Sequence, residues 1–110
     1  MPNAKIYVDQ TAWVLREDIV DLLPQLRDLF CHRLSVGPSA CQIAVLPVDG
    51  LSDQPHINVE LRILPAADRT REALIELAVA IQDLFAGTRT GKTAVRIETL
   101  DPETYVAVKG

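Results

Sequence analysis

Arg16-Glu17-Asp18-Ile19-Val20-Asp21-Leu22-Leu23-Pro24-Gln25-Leu26-Arg27-Asp28-Leu29-Phe30 returns, 55 positions later, as Arg71-Glu72-Ala73-Leu74-Ile75-Glu76-Leu77-Ala78-Val79-Ala80-Ile81-Gln82-Asp83-Leu84-Phe85. Six of the fifteen pairs are identical, and Ile19/Leu74, Val20/Ile75, Asp21/Glu76 and Leu26/Ile81 keep their chemistry. Average composition gives about one identity by chance. The chain therefore reads as one unit of 55 residues, duplicated and fused, with halves at about 2–50 and 56–108. A duplicated unit predicts a pseudo-two-fold in the fold.

Working outward from the repeat, each half has the same order of elements. Lys5-Ile6-Tyr7-Val8 alternates as a strand does. A helix follows from about Arg16 to Leu34, with Ile19, Leu22, Leu23, Leu26, Leu29 and Phe30 on one face. Pro24 inside it predicts a kink, because proline lacks the N–H for the helical bond. Val36-Gly37-Pro38 ends the helix, and Cys41 to Val48 reads as the second strand. A turn-rich stretch from Asp49-Gly50 to Gln54-Pro55 separates the halves. Ile57 to Ile63 then alternates cleanly, with Asn58, Glu60 and Arg62 on the polar face. Asp68 or Thr70 can cap a second helix from about Arg69 to Phe85, with Gly87 as a left-handed stop. Thr93 to Leu100 is the last strand, followed by Asp101-Pro102 and a short extended tail, Thr104 to Val108.

Two strand-helix-strand units imply parallel strands within each unit. The expected architecture is α/β (α+β): four main strands with two helices on one face. The opposite face is left open, so oligomerisation is expected.

Composition bounds the function. A chain of 110 residues supports one core, so residues 1–110 are read as a single domain. Hydrophobic residues make up 48%, which excludes disorder, and aromatics only 5%, so aliphatic side chains fill the core. The net charge is −4 with scattered Lys and Arg and no stacking-aromatic pattern, which argues against nucleic acid. No run of 18 apolar residues and no apolar leader occurs, so no membrane partner and a cytoplasmic location are expected. Cys31 and Cys41 form no CxxC pair and read as small buried hydrophobes; His32 and His56 are far apart, so no metal site is expected. Gly87-Thr88-Arg89-Thr90-Gly91-Lys92-Thr93 resembles a phosphate-binding loop only superficially. It has one residue too few between its glycines and leaves a helix to enter a strand, the reverse of the required context.

The chemistry resides in other residues. Pro2 follows Met1, and removal of Met1 exposes a secondary amine held at the start of a strand. A free α-amino group titrates near ~8, and burial or a nearby cation lowers that value, which makes a neutral nitrogen able to act as a general base. The duplication sharpens the point. Pro2 corresponds to Ile57 and Val14 to Arg69, so the halves differ in amine and in cation. An arginine just before a helix suits a carboxylate, because its planar fork binds bidentately.

Pro2 followed by a strand, Leu61-Arg62-Ile63…Arg69-Thr70-Arg71-Glu72, and Arg96-Ile97-Glu98-Thr99-Leu100-Asp101-Pro102 together resemble the tautomerase superfamily of amino-terminal-proline enzymes. The last run is most similar to the 5-carboxymethyl-2-hydroxymuconate isomerase branch, whose members act in aromatic degradation. Asp68-Arg69-Thr70 stands where the family has Gly-Arg-Ser. The resemblance implies a duplicated β-α-β fold and a homotrimer. It also implies a cofactor-independent tautomerase or isomerase acting on small unsaturated enol or dienol carboxylic acids. In it Pro2 is the general base and Arg69 the carboxylate clamp. Gln42 stands where the isomerase branch carries an arginine, and Arg62 and Arg96 are candidates to supply that cation. Trp13 and Tyr105 are candidates for an apolar wall.

Two other readings keep the same element order. One is a non-catalytic trimeric binding module with this fold. The other is a ferredoxin-like sheet, as in small-ligand-binding regulatory domains, which the order β-α-β-β-α-β also permits.

Overall fold

Alternation fixes the centre of the sheet. Ala4, Ile6 and Val8 on β1 (Asn3–Asp9) and Ile57, Val59, Leu61 and Ile63 on β3 (Ile57–Ile63) all point to one side and are 0–1% exposed. β1 and β3 pair antiparallel, with Lys5 directly opposite Glu60. Those two residues are also 55 positions apart, so the pseudo-two-fold passes between them. β2 (Gln42–Val48) adds parallel to β1, and β4 (Thr93–Thr99) adds parallel to β3. The strand order is β2-β1-β3-β4, which reads the same when the halves are exchanged. This computed structural model describes residues 2–88 and 92–110.

The ferredoxin-like expectation fails on this order. That fold splits each β-α-β unit by inserting another strand between its two strands. Here β1 and β2 are hydrogen-bonded neighbours, as are β3 and β4.

The repeated helices α1 (Arg16–Leu34) and α2 (Arg71–Phe85) cover the apolar face. Their shared aromatics, Phe30 and Phe85, are 0% and 1% exposed, and the repeat pair Leu26/Ile81 is fully buried. Helix α1 runs through Pro24 as one element; Pro24 and Val20, whose carbonyl loses its partner, both face solvent, where water can replace the bond. Glu17 and Asp18 in its first turn and His32 and Arg33 in its last complement the helix dipole. Helix α2 begins at Arg71, two residues later than expected, because Thr70 rather than Asp68 caps it, Oγ1 accepting from the Ala73 N–H at 3.2 Å.

The helix ends reverse the expected glycine chemistry. Ser35, with φ 55°, is the left-handed residue after α1, and its N–H returns to the Cys31 carbonyl. After α2 the cap is right-handed Ala86, and Gly87 adopts no positive φ. Instead the Thr88 N–H and hydroxyl both donate to the Phe85 carbonyl, at 3.0 and 2.7 Å. Arg89, Thr90 and Gly91 of the phosphate-loop lookalike lie outside the described residues. The tail is not a strand: after Leu100 donates to Ile63 at 2.8 Å, the chain turns at Asp101–Thr104 and continues exposed.

The other face of the sheet is polar toward β4. Gln42, Asn3, Arg62 and Glu98 form one cross-strand row, and Ala44, Lys5, Glu60 and Arg96 form the next. Among the described residues no element covers this face, and no helix is long and apolar enough to cross a membrane.

At the far end of β1, Asp9 is 8% exposed and organises the turn between the halves. Its Oδ1 accepts from the Thr11 hydroxyl (2.7 Å) and the Thr11 N–H (2.9 Å), capping a 3₁₀ turn at Gln10–Leu15. Gly50 allows the connecting loop to close on it, since a Cβ there would lie 3.3 Å from Asp9 Oδ2 and 3.1 Å from Gln54 Oε1. The Thr11 hydroxyl, then the Thr11 N–H, hold the Asp9 carboxyl below its ordinary value against the opposing cost of burial, with smaller help from His56 and the Gly50 N–H.

Two outcomes follow for stability. Phe30→Ala and Phe85→Ala should each lower the unfolding free energy in urea by about 3–5 kcal/mol, the usual cost of emptying an aromatic core site. Asp9 favours the folded state only while ionised. Its contribution is complete above the unfolded carboxyl's range, near pH ~4, and is lost as the pH falls through the lower folded value. Comparing urea midpoints between pH 7 and pH 3, Asp9→Asn should be less stable than wild type at pH 7, and the gap should narrow on acidification.

Candidate functional site

One end of the sheet gathers the start of β1, the start of β2 and the ends of β3 and β4. Pro2 lies here, buried, its carbonyl accepting from the Gln42 N–H at 2.9 Å. The antiparallel register puts Pro2 level with Ile63, and its even spacing from Ala4 turns it toward the helices. From Ile63 the chain runs through Leu64 into the loop that carries Arg69.

Arg69 is half-buried and closely held. One Nη donates to the Leu64 carbonyl, the other to the Leu34 carbonyl at the end of α1, at 3.2 Å. Its backbone N–H donates to Ala66 at 3.0 Å. The Nε–H is sealed from solvent with no acceptor among the described residues. Arg69 thus ties the end of α1 to the loop that launches α2.

Beside it a cavity of about 470 Å³ opens between α2 and β4. Its polar end holds Arg69, Arg71 and Thr99; its walls are Leu74, Ile75 and Ala78 from α2 and Ile97 from β4. Leu74 and Ala78 are one helical turn apart, and Ile97 and Thr99 are two strand positions apart, so the same periodicities that build the fold build this wall. An apolar slot with cations at one end suits a small acid with a hydrocarbon body.

The remaining sequence candidates separate from this cavity. Gln42, Arg62 and Arg96 stand on the open face of the sheet, whereas Pro2 and the cavity are on the helix side. Arg62 Nε is 3.5 Å from Glu98 Oε1, and Arg96 donates to Asn58 Oδ1 at 3.2 Å. Neither Trp13 nor Tyr105 lines the cavity: Trp13 packs against the core with Arg16 over its ring, and Tyr105 follows the last turn with its N–H on the Asp101 carbonyl. Cys31 and Cys41 are half-buried rather than buried. Desolvation, then hydrogen bonding and charge interaction with the Cys31 thiol, push the Cys41 thiol up.

Sequence reasoning missed Arg71. It stands in the repeat as an identity with Arg16 and in the run Arg69-Thr70-Arg71-Glu72, without a role of its own, although its place next to the Thr70 cap already put it at the mouth of α2.

The fold has close counterparts. A macrophage migration inhibitory factor-like protein from Entamoeba histolytica superposes with TM-score 0.71 at 12% identity, over 97% of this chain and 95% of that one. A fused 4-OT, a wild-type asymmetric trimer, superposes with TM-score 0.71 at 18% identity, over 96% and 91%. FG41 malonate semialdehyde decarboxylase inhibited by 3-bromopropiolate gives TM-score 0.64 at 18% identity, over 98% and 90%. The chain has the tautomerase-like β-α-β fold. No protein-family model matches the sequence, and no curated protein matches it.

Proposed function

We propose that this chain is a cofactor-independent tautomerase or isomerase of small unsaturated enol or dienol carboxylic acids, working as a homotrimer in the tautomerase superfamily. The observation that carries the reading is the arrangement at one end of the sheet. Pro2 immediately precedes β1 there, on the helix side, at the same end of the sheet as Thr99 of the arginine-ended cavity between α2 and β4. The fold it shares with a fused 4-OT and a malonate semialdehyde decarboxylase supports the same reading. The run Arg96 to Pro102 supports a place near the 5-carboxymethyl-2-hydroxymuconate isomerase branch.

In this mechanism Met1 is removed and the Pro2 secondary amine takes the proton of the enol hydroxyl or of an acidic carbon. The negative charge spreads over a dienolate, and the protonated proline returns the proton to carbon or oxygen at the other end. The cationic end of the cavity, lined by Arg69 and Arg71, draws the carboxylate and lowers the energy of the developing charge. No redox step and no group transfer is involved, so proton balance closes within the enzyme–substrate pair.

Pro2 does not line the cavity within one chain. The trimer is therefore part of the proposal, since a neighbouring copy can close the space between the proline and the arginines. The fused 4-OT is itself a trimer.

On protein whose mass confirms loss of Met1, ketonisation of phenylenolpyruvate should proceed and should fall by about 10²-fold or more in Pro2→Ala, the usual range for losing a general base. An unchanged rate in Pro2→Ala would remove the proline from the chemistry and leave the non-catalytic binding module. Sedimentation at micromolar concentration should give a species of three chains; a monomer would overturn the trimer.

A further inference from the structure

The duplication supplies an internal comparison for the cavity. Ala78 on α2 corresponds to Leu23 on α1. Leu23 lines a groove of about 260 Å³ with Pro24, Arg27, Cys41 and Ile43, toward the start of β2, whereas Ala78 lines the cavity of about 470 Å³ toward the end of β4. At this position the second half presents a methyl group to its cavity where the first half carries the larger leucine side chain.

The heads of the two helices differ in the same sense. Arg16 lies with its guanidinium 5.9 Å from the centroid of the Trp13 ring, a cation–π contact. Its counterpart Arg71 has Asp68 at the position equivalent to Trp13, so no ring is there to hold it. Arg71 is exposed, borders the cavity and has no hydrogen-bond or ion-pair partner among the described residues.

Arg69, the other cation, is already engaged. Its two terminal nitrogens serve the Leu64 and Leu34 carbonyls, and its Nε–H is sealed. Turning its fork to a bidentate carboxylate would break both bonds and leave the Leu64 and Leu34 carbonyls without that donor.

We infer that Arg71, not Arg69, makes the direct contact with the ligand's carboxylate in the cavity between α2 and β4, while Arg69 is a structural clasp and Ala78 provides the room. The inference rests on the proposed function only for the class of ligand, a carboxylate with an apolar body.

The test is binding rather than turnover, so it fails separately from the proline chemistry. Calorimetric titration compares trans-cinnamate with neutral cinnamamide, which has the same ring and chain. Wild-type protein should prefer cinnamate by about 10-fold or more, as a charge-assisted contact gives. Arg71→Gln should erase that preference without changing Tm, and Arg71→Lys should restore part of it. Ala78→Leu should remove binding of both probes. Arg69→Gln should lower Tm by about 4–8 °C while the folded protein keeps its preference for the anion. The inference is overturned if Arg71→Gln retains the preference, if Ala78→Leu binds as wild type does, or if wild type binds no cinnamate.

Discussion

The antiparallel pairing of β1 with β3 is the constraint on which the rest depends. These central strands each carry an unbroken apolar set on one side, and their register places the set of one beside the set of the other. A one-residue slip would turn every one of those side chains to the polar face, so burial on one side specifies the register strongly. Once Lys5 stands opposite Glu60, the two halves are related by a pseudo-two-fold and the outer strands add at each side. The helices must then lie together on the apolar face, where Phe30 and Phe85 fill equivalent places.

A duplicated fold tends toward two equivalent sites, and the functional interest of this chain lies in where the equivalence breaks. The first half has Leu23, a stacked Arg16 and an exposed Val14; the second has Ala78, an unstacked Arg71 and the clasping Arg69. Arg69 also joins the halves, because its guanidinium reaches the end of α1 from the loop before α2. Helix α1 is longer than α2 by a turn, 19 residues against 15, and the last carbonyl of that helix, Leu34, is the one Arg69 meets.

The elements were legible because their periods are strong. The strand Ile57–Ile63 and the helix from about Arg16 to Leu34 are readable from alternation and from a continuous apolar stripe. The helix ends were not, because capping is a competition among neighbours: Thr70 outcompeted Asp68, and Thr88 closed α2 where Gly87 was expected. Arg69 was legible as a cation before a helix, but its partners were not. Backbone carbonyls 5 and 35 positions away leave no mark in a sequence.

By itself the sequence determined the repeat, the order of strands and helices, and the apolar faces, since all three follow from local side-chain spacing. It left the strand order open between β2-β1-β3-β4 and a split arrangement, because both satisfy the same local pattern. Only the tertiary structure decided that. It also decided which polar side chains share a space: Gln42, Arg62 and Arg96 went to the open face, and Arg69 and Arg71 to the cavity. The physical reason is that alternation assigns a residue to a face, while its neighbours across that face come from strands and helices far away in the chain.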